Sequence, residues 1–194
     1  MNLPDADVTY SPNFLSRDES DALFEYFVKE IPWRQDSITI WGKTHLLPRK
    51  QQWFADNELT YTWSGIRMEP VNWLPVLLII RKRLLALTGV DFNTVLANLY
   101  RTGDDTVGWH SDDEPELGPE PIIASVSFGA TRDFQLRHKY KAELPGVTLP
   151  LEHGSLLLMK GQTQRYWKHQ LPRRKWIDSA RVNLTFRVVK SKFA

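Results

Sequence analysis

From residue 94 onward the chain breaks into short alternating stretches separated by turn residues, and this texture limits the fold more than any other feature. Strands are predicted near 94–100, 106–110, 121–128, 132–138, 147–151, 154–160, 164–169 and 180–189. Gly103-Asp104-Asp105, Glu114–Gly118, Gly129-Ala130, Pro145-Gly146 and His153-Gly154 supply the turns. Eight short strands in under a hundred residues point to a closed double-sheet β-domain, a jelly roll. The first half reads differently. Residues 1–15 look extended and irregular, and Ser16-Arg17-Asp18-Glu19 is a capping box that opens a helix. Leu23, Phe24, Phe27, Val28 and Ile31 continue it at helical spacing until Pro32 stops it. A second amphipathic helix runs from about Trp73 to Leu87 and ends at Thr88-Gly89. The expected class is α+β: a double-stranded β-helix (jelly-roll) core with N-terminal helices packed on one sheet. The 194 residues suit one domain, 1–194, divided into a largely helical part at 1–93 and the β-core at 94–194.

Composition excludes some chemistry. With no cysteine, disulfides, thiolate metal sites and cysteine nucleophiles are ruled out. Val76–Ile80, the longest apolar run, is far too short to cross a bilayer, and the first residues carry no secretory pattern. A soluble intracellular protein is expected, cytoplasmic if bacterial and nuclear if eukaryotic. Net charge is only +2, but Arg165 to Lys175 holds five basic residues and no acid, interleaved with Tyr166 and Trp167. Alone, that stretch reads as a solvated basic face.

The chemistry concentrates at Trp109-His110-Ser111-Asp112-Asp113-Glu114. On an extended backbone, His110 and Asp112 point the same way. One further histidine completes a 2-His-1-carboxylate set, which holds non-haem Fe(II) with positions left open. His45 falls in a basic hairpin, His138 ends a strand rich in exposed cations, and His153 occupies a turn. His169, on a strand 59 residues after His110, is the preferred third ligand.

The last strand supplies a second requirement. Val182, Leu184, Phe186 and Val188 alternate with Arg181, Asn183, Thr185 and Arg187. If the polar face looks into a closed barrel, two arginines need an anion or buried acids beside them. Asn98 and Tyr100, two apart on an earlier strand, could add an amide and a phenol. A five-carbon diacid would fit such a grip. The other reading is a polar strand facing solvent.

Residues 36–55 alternate as a hairpin, with Trp41-Gly42-Lys43 at its turn and Arg49 and Lys50 nearby. The tryptophan is either an incidental surface aromatic or a wedge between bases with phosphate-binding neighbours. Tyr61-Thr62-Trp63 puts two rings on one face of a further strand.

Together these stretches resemble the AlkB-type Fe(II)/2-oxoglutarate dioxygenases, especially the members that repair duplex DNA. The resemblance runs in order from about residue 35 to the C-terminus. It rests on Trp41-Gly42-Lys43, Pro48–Gln51, Tyr61–Gly65, Asn98–Tyr100, His110–Glu114, Ile123–Gly129, Arg132–Phe134, His153–Leu157, His169 and Arg181–Arg187. It implies that His110, Asp112 and His169 bind iron, with 2-oxoglutarate and O2 as co-substrates. Arg181 would hold the far carboxylate of 2-oxoglutarate and Arg187 the end nearer the metal, helped by Asn98, Tyr100, Asn183 and Thr185. Residues 1–93 would then form the nucleotide-recognition and helical part. Trp41, Gly42, Lys43 and Arg49 would contact DNA around a flipped base; Tyr61, Thr62 and Trp63 would line its pocket. Asp113 and Glu114 would face the base's polar edge, since N-alkylation leaves adenine or cytosine positively charged. The implied reaction is oxidative dealkylation of bases such as 1-methyladenine and 3-methylcytosine, with succinate and formaldehyde released. The implied partner is DNA, as a duplex with one base extruded; the protein is expected to be monomeric and free of membranes. An RNA demethylase and a non-catalytic nucleic-acid-binding jelly roll are the alternatives.

Overall fold

The structure, a computed structural model, describes residues 1–40, 42–56, 59, 61–63, 66–68 and 70–190, with backbone alone at 40, 61–63 and 66–68. In chain order the first elements are β1 (Asp7–Ser11), α1 (Arg17–Glu30), β2 (Ser37–Ile40), β3 (Lys43–Leu46), β4 (Lys50–Ala55), β5 (Tyr61–Trp63), β6 (Ile66–Met68) and α2 (Pro75–Thr88). They are followed by β7 (Thr94–Tyr100), β8 (Val107–His110), β9 (Ile123–Gly129), β10 (Arg132–His138), β11 (Val147–Leu151), β12 (Ser155–Lys160), α3 (Thr163–Tyr166), β13 (Trp167–Leu171) and β14 (Arg181–Arg187).

The strands form a jelly roll. A six-stranded sheet, ordered β1-β12-β9-β14-β7-β4, faces a four-stranded sheet, ordered β11-β10-β13-β8; the hairpins β2–β3 and β5–β6 stand apart. Period-two alternation decides what each face meets. On β9 and β14, Ala124, Val126, Phe128, Val182, Leu184 and Phe186 turn outward into one apolar core with Phe27, Leu77, Ile80, Leu84 and Phe92. Helices therefore cover that face, and each of these buried side chains larger than alanine contributes about 1.5–3 kcal/mol. The opposite face looks between the sheets. There Ile123, Leu157 and Met159 meet Phe134, Leu136 and Trp167 in a second core.

Both predicted helices form, with ends set by the expected chemistry. Ser16 Oγ accepts from Glu19 N at 3.3 Å, a cap that contributes about 1 kcal/mol. The reciprocal half of the capping box is replaced: Glu19 Oε1 pairs with Arg83 Nη2 at 2.7 Å and ties α1 to α2. Pro75 opens α2, and Gly89 closes it at φ 72°, its N–H donating to Leu85 O.

Three expectations change. Residues 7–11 are not irregular, because β1 pairs along its length with β12. The hairpin's second arm ends at Leu46, and β4 joins the large sheet beside β7. The large sheet thus takes strands from both sides of residue 93. Residues 164–169 divide into a helical turn and a strand, because Thr163 bonds the Lys160 carbonyl and the Asp7 amide and fixes the turn before Trp167.

Candidate active site

Strand register, rather than sequence spacing, brings the histidines together. His169 on β13 lies directly opposite His110 on β8, with ring centroids 4.3 Å apart. Asp112 follows β8 by two residues and is 1% exposed. One ligand atom from each of the three residues lies within 4.8 Å of the others. His110 Nδ1 sits 2.8 Å from Gly108 O. A carbonyl only accepts, so Nδ1 carries the proton and Nε2 keeps its lone pair for a cation. Phe134 stacks on His169 at 5.1 Å and 26°. Two other histidines have different work: His138 Nδ1 accepts from the amides of Tyr140 and Lys141, and His153 Nδ1 from that of Gly129.

The electrostatics put each group in the state a metal requires. Burial alone would raise the Asp112 carboxyl. The Arg187 guanidinium, with Nη2 2.8 Å from Asp112 Oδ1, and then the two imidazoles outweigh it and hold Asp112 at about 2. Burial, then the neighbouring His110, pushes His169 down to about 3. His110 is lowered as well, chiefly by burial. Two neutral imidazoles and one carboxylate, with no thiolate in the chain, suit Fe(II). Gln164 fixes the loop that carries the carboxylate: its Oε1 accepts from Asp112 N at 2.9 Å.

These ligands open on a cavity whose other wall belongs to the large sheet. Arg181, Asn183, Thr185 and Arg187 all face into it, so the polar side of β14 looks inward. Arg181 lies opposite Tyr100 and Asn183 opposite Asn98. Asn183 and Thr185 are engaged within the wall, with Asn183 Nδ2 donating to Ser125 Oγ and Thr185 Oγ1 to Asn183 Oδ1. Arg181 differs. It is 2% exposed, donates to Ser127 Oγ at 3.0 Å, lies against the Tyr100 ring, and has no partner at Nε. Burial lowers it to about 10, so it stays charged at neutral pH. No carboxylate among the described residues forms an ion pair with it. A buried cation in this condition calls for an anionic ligand.

The substrate-side expectations fare unevenly. Trp41 lies outside the described residues, as do the side chains of Tyr61, Thr62 and Trp63. Gly42 takes φ 74° at the hairpin turn, with nothing near the position a Cβ would occupy, and Lys43 is exposed. Arg49 is not on that exposed surface. It is 3% exposed and lines the cavity, with Nε donating to Asn98 Oδ1 and Nη1 to Thr106 O. It sits there because β4 left the hairpin for the large sheet. Asp113 is exposed and pairs with Lys139 at 2.9 Å, and Glu114 is half-buried. Sequence reasoning gave no role to Gln164, Phe134 or Arg132, although the last two lie in one of the matching stretches. For the last two there was a signal: on β10 the alternation of Leu136 and Phe134 carries Arg132 to the same inward face.

Comparison with known proteins agrees with this geometry. The family model described as 2OG-Fe(II) oxygenase superfamily matches residues 7–187. The chain is 45% identical over 190 residues to the alpha-ketoglutarate-dependent dioxygenase alkB homolog 3 of Bos taurus, covering 94% of this chain and 66% of that protein. It is also 45% identical over 192 residues to the DNA oxidative demethylase ALKBH2 of Homo sapiens, covering 94% and 73%. The chain thus spans slightly less than two thirds of the alkB homolog 3 relative. The solved structure of OsALKBH1 shares the fold, with a TM-score of 0.66 over 97% of this chain and 99% of that one at 18% identity. Since the family match takes in every strand and loop that carries the cavity, the chain belongs to the 2OG-Fe(II) oxygenase superfamily.

Proposed function

We propose that this chain is an oxidative demethylase of N-alkylated bases in DNA, acting as one catalytic unit over its length. The observation that carries the reading is the cavity itself. A neutral-imidazole pair and an ionised carboxylate share it with Arg181, a buried cation that no carboxylate among the described residues pairs with. The family membership and the name of the ALKBH2 relative supply the substrate class.

In this reading His110, Asp112 and His169 hold iron. Bound there, iron would supply the dioxygen chemistry, coupled to decarboxylation of 2-oxoglutarate, by which the N-alkyl carbon is oxidised. Arg181 and Tyr100 grip the far carboxylate. Arg187 orients the near end while holding Asp112. Asp113 and Glu114 follow the metal carboxylate directly and face the cationic base, with Lys139 moderating Asp113. The exposed hairpin, with Gly42 and Lys43 at its turn, reaches the duplex, and Trp41 fills the vacated stack. No helix among the described residues is long and apolar enough to cross a membrane. A demethylase of RNA is the second reading, which the two relatives leave open: both are 45% identical, and only ALKBH2 carries a nucleic acid in its name.

The test is turnover with Fe(II) and 2-oxoglutarate on the same 1-methyladenine lesion in duplex DNA, single-stranded DNA and RNA. Repaired base and succinate are counted by mass spectrometry. Equimolar repaired base and succinate, best on DNA, is expected. Trp41→Ala should lose most duplex activity and keep single-strand activity, because extruding a base costs a few kcal/mol only in a stack. Succinate formation with no repaired base on any of the three would overturn the substrate assignment.

A further inference from the structure

Arg132 is among the largest fully buried side chains in the protein, at 1% exposure. It opens β10 and turns inward with Phe134 and Leu136. A guanidinium at that depth is costly unless paired, yet it forms no ion pair with any described carboxylate. Its partners are three backbone carbonyls: Thr102 O at 3.1 Å, Asp105 O at 2.9 Å and Pro172 O at 2.9 Å. The first two belong to the loop that leads into β8, and the third follows β13. The same two segments are zipped together at Gly103, whose N–H donates to Ile177 O and whose carbonyl accepts from Arg174 N. A Cβ at Gly103 would come within 1.8 Å of Arg174 O, so no larger residue fits the junction.

Arg132 also meets the anion site. Its guanidinium lies 5.8 Å from the Tyr100 ring centre, and that of Arg181 lies 5.3 Å from the same ring. Asp105 and Asp133 act on Arg132 electrostatically, but neither is hydrogen-bonded to it, so the two buried cations against one phenol still favour negative charge there. Carbonyl dipoles hold Arg132 in place but leave its net charge undiminished.

We propose that Arg132 is a positioning residue for the far carboxylate of the diacid co-substrate. It fixes Tyr100 and the 102–105 loop in the shape that Arg181 requires, and its charge reinforces Arg181 from behind. The proposal rests on the reading of this cavity as a 2-oxoglutarate site. A residue that merely holds the loop would affect every ligand alike. One that serves the far carboxylate affects only ligands that have it.

Titration calorimetry with Mn(II), which supports binding without turnover, separates the two. The ligands are 2-oxoglutarate and 2-oxopentanoate, which has the same chain with methyl in place of the far carboxylate. Wild type should favour 2-oxoglutarate strongly. Arg132→Met should weaken 2-oxoglutarate roughly tenfold or more, while 2-oxopentanoate and Mn(II) stay within about threefold of wild type. Arg132→Lys, which keeps the charge but not the planar fork, should fall between. In turnover the Met variant should show a raised KM for 2-oxoglutarate and a nearly preserved kcat. Equal weakening of both acids, or none, refutes the proposal. If the Met variant does not fold, the Lys variant decides it by the same ratio. Should wild type itself fail to distinguish the two acids, the co-substrate reading fails first and takes this proposal with it.

Discussion

Removing the Arg187 side chain should make the apoprotein depend on metal for its stability. Arg187 is 5% exposed and Asp112 1% exposed, and their 2.8 Å contact is a buried charge pair. Arg187→Met deletes one charge and leaves the other buried beside two neutral imidazoles. Breaking a buried pair in this way costs about 3–5 kcal/mol. For a chain of this size that lowers Tm by roughly 10 °C. A divalent cation on the three ligands replaces the missing positive charge, so Mn(II) should raise Tm more in the variant than in wild type. Adding Asp112→Asn removes the orphaned charge, so the double variant should be more stable than Arg187→Met alone. The pH dependence follows in sign. Asp112 sits at about 2 when folded, against 3.8 unfolded, so its contribution is present above pH 3.8 and lost as pH falls through 2. The gap between wild type and variant should therefore narrow in acid. The assay is thermal unfolding by circular dichroism on metal-stripped protein. An Arg187→Met apoprotein within a few degrees of wild type, or a double variant less stable than the single, would refute the reasoning.

Two further outcomes can be checked on the same protein. His169 titrates at about 3 when folded, and His110 is also lowered, so below about pH 6.5 the unfolded chain binds protons that the folded one excludes. The apoprotein's urea midpoint should therefore fall steadily from pH 7 to pH 4.5, and a flat midpoint would contradict buried neutral imidazoles. Arg49→Met should weaken 2-oxoglutarate binding without changing the salt dependence of DNA binding, because Arg49 bonds Asn98 in the cavity wall. Loss of about one unit of salt slope would instead put Arg49 on a phosphate.

What could be read from the sequence was whatever depends on neighbours along the chain. The facing of β14 was legible because seven residues alternate without a fault, and an arginine on the inward side demands a reason. The helix ends were legible because caps are local. The pairing of His110 with His169 was reached by elimination among five histidines, whereas the cause is a register between strands 59 residues apart, which no spacing encodes. Arg49 was misplaced for a related reason. In sequence it stands beside Lys50 in a basic, hairpin-like stretch; only the pairing of β4 with β7 makes it interior. β1 carries a single buried residue, Val8, so its strand character comes almost wholly from the partner it pairs with. Gln164 left no trace at all, because its task is to hold one amide 52 residues away.

The two-sheet construction has a mechanical consequence. The cation ligands stand on the four-stranded sheet or the loop leaving it, and the anion holders stand on the six-stranded one. Any molecule that touches both therefore acts as a rivet through the sandwich. Its binding free energy adds to the cohesion of the fold by mass action, and in its absence the bond from Arg187 to Asp112 is the charged stitch at that point. A protein built this way stiffens in proportion to how fully it is loaded. Its edge strand β8, paired on one side only, is where an empty molecule should first let hydrogen exchange begin.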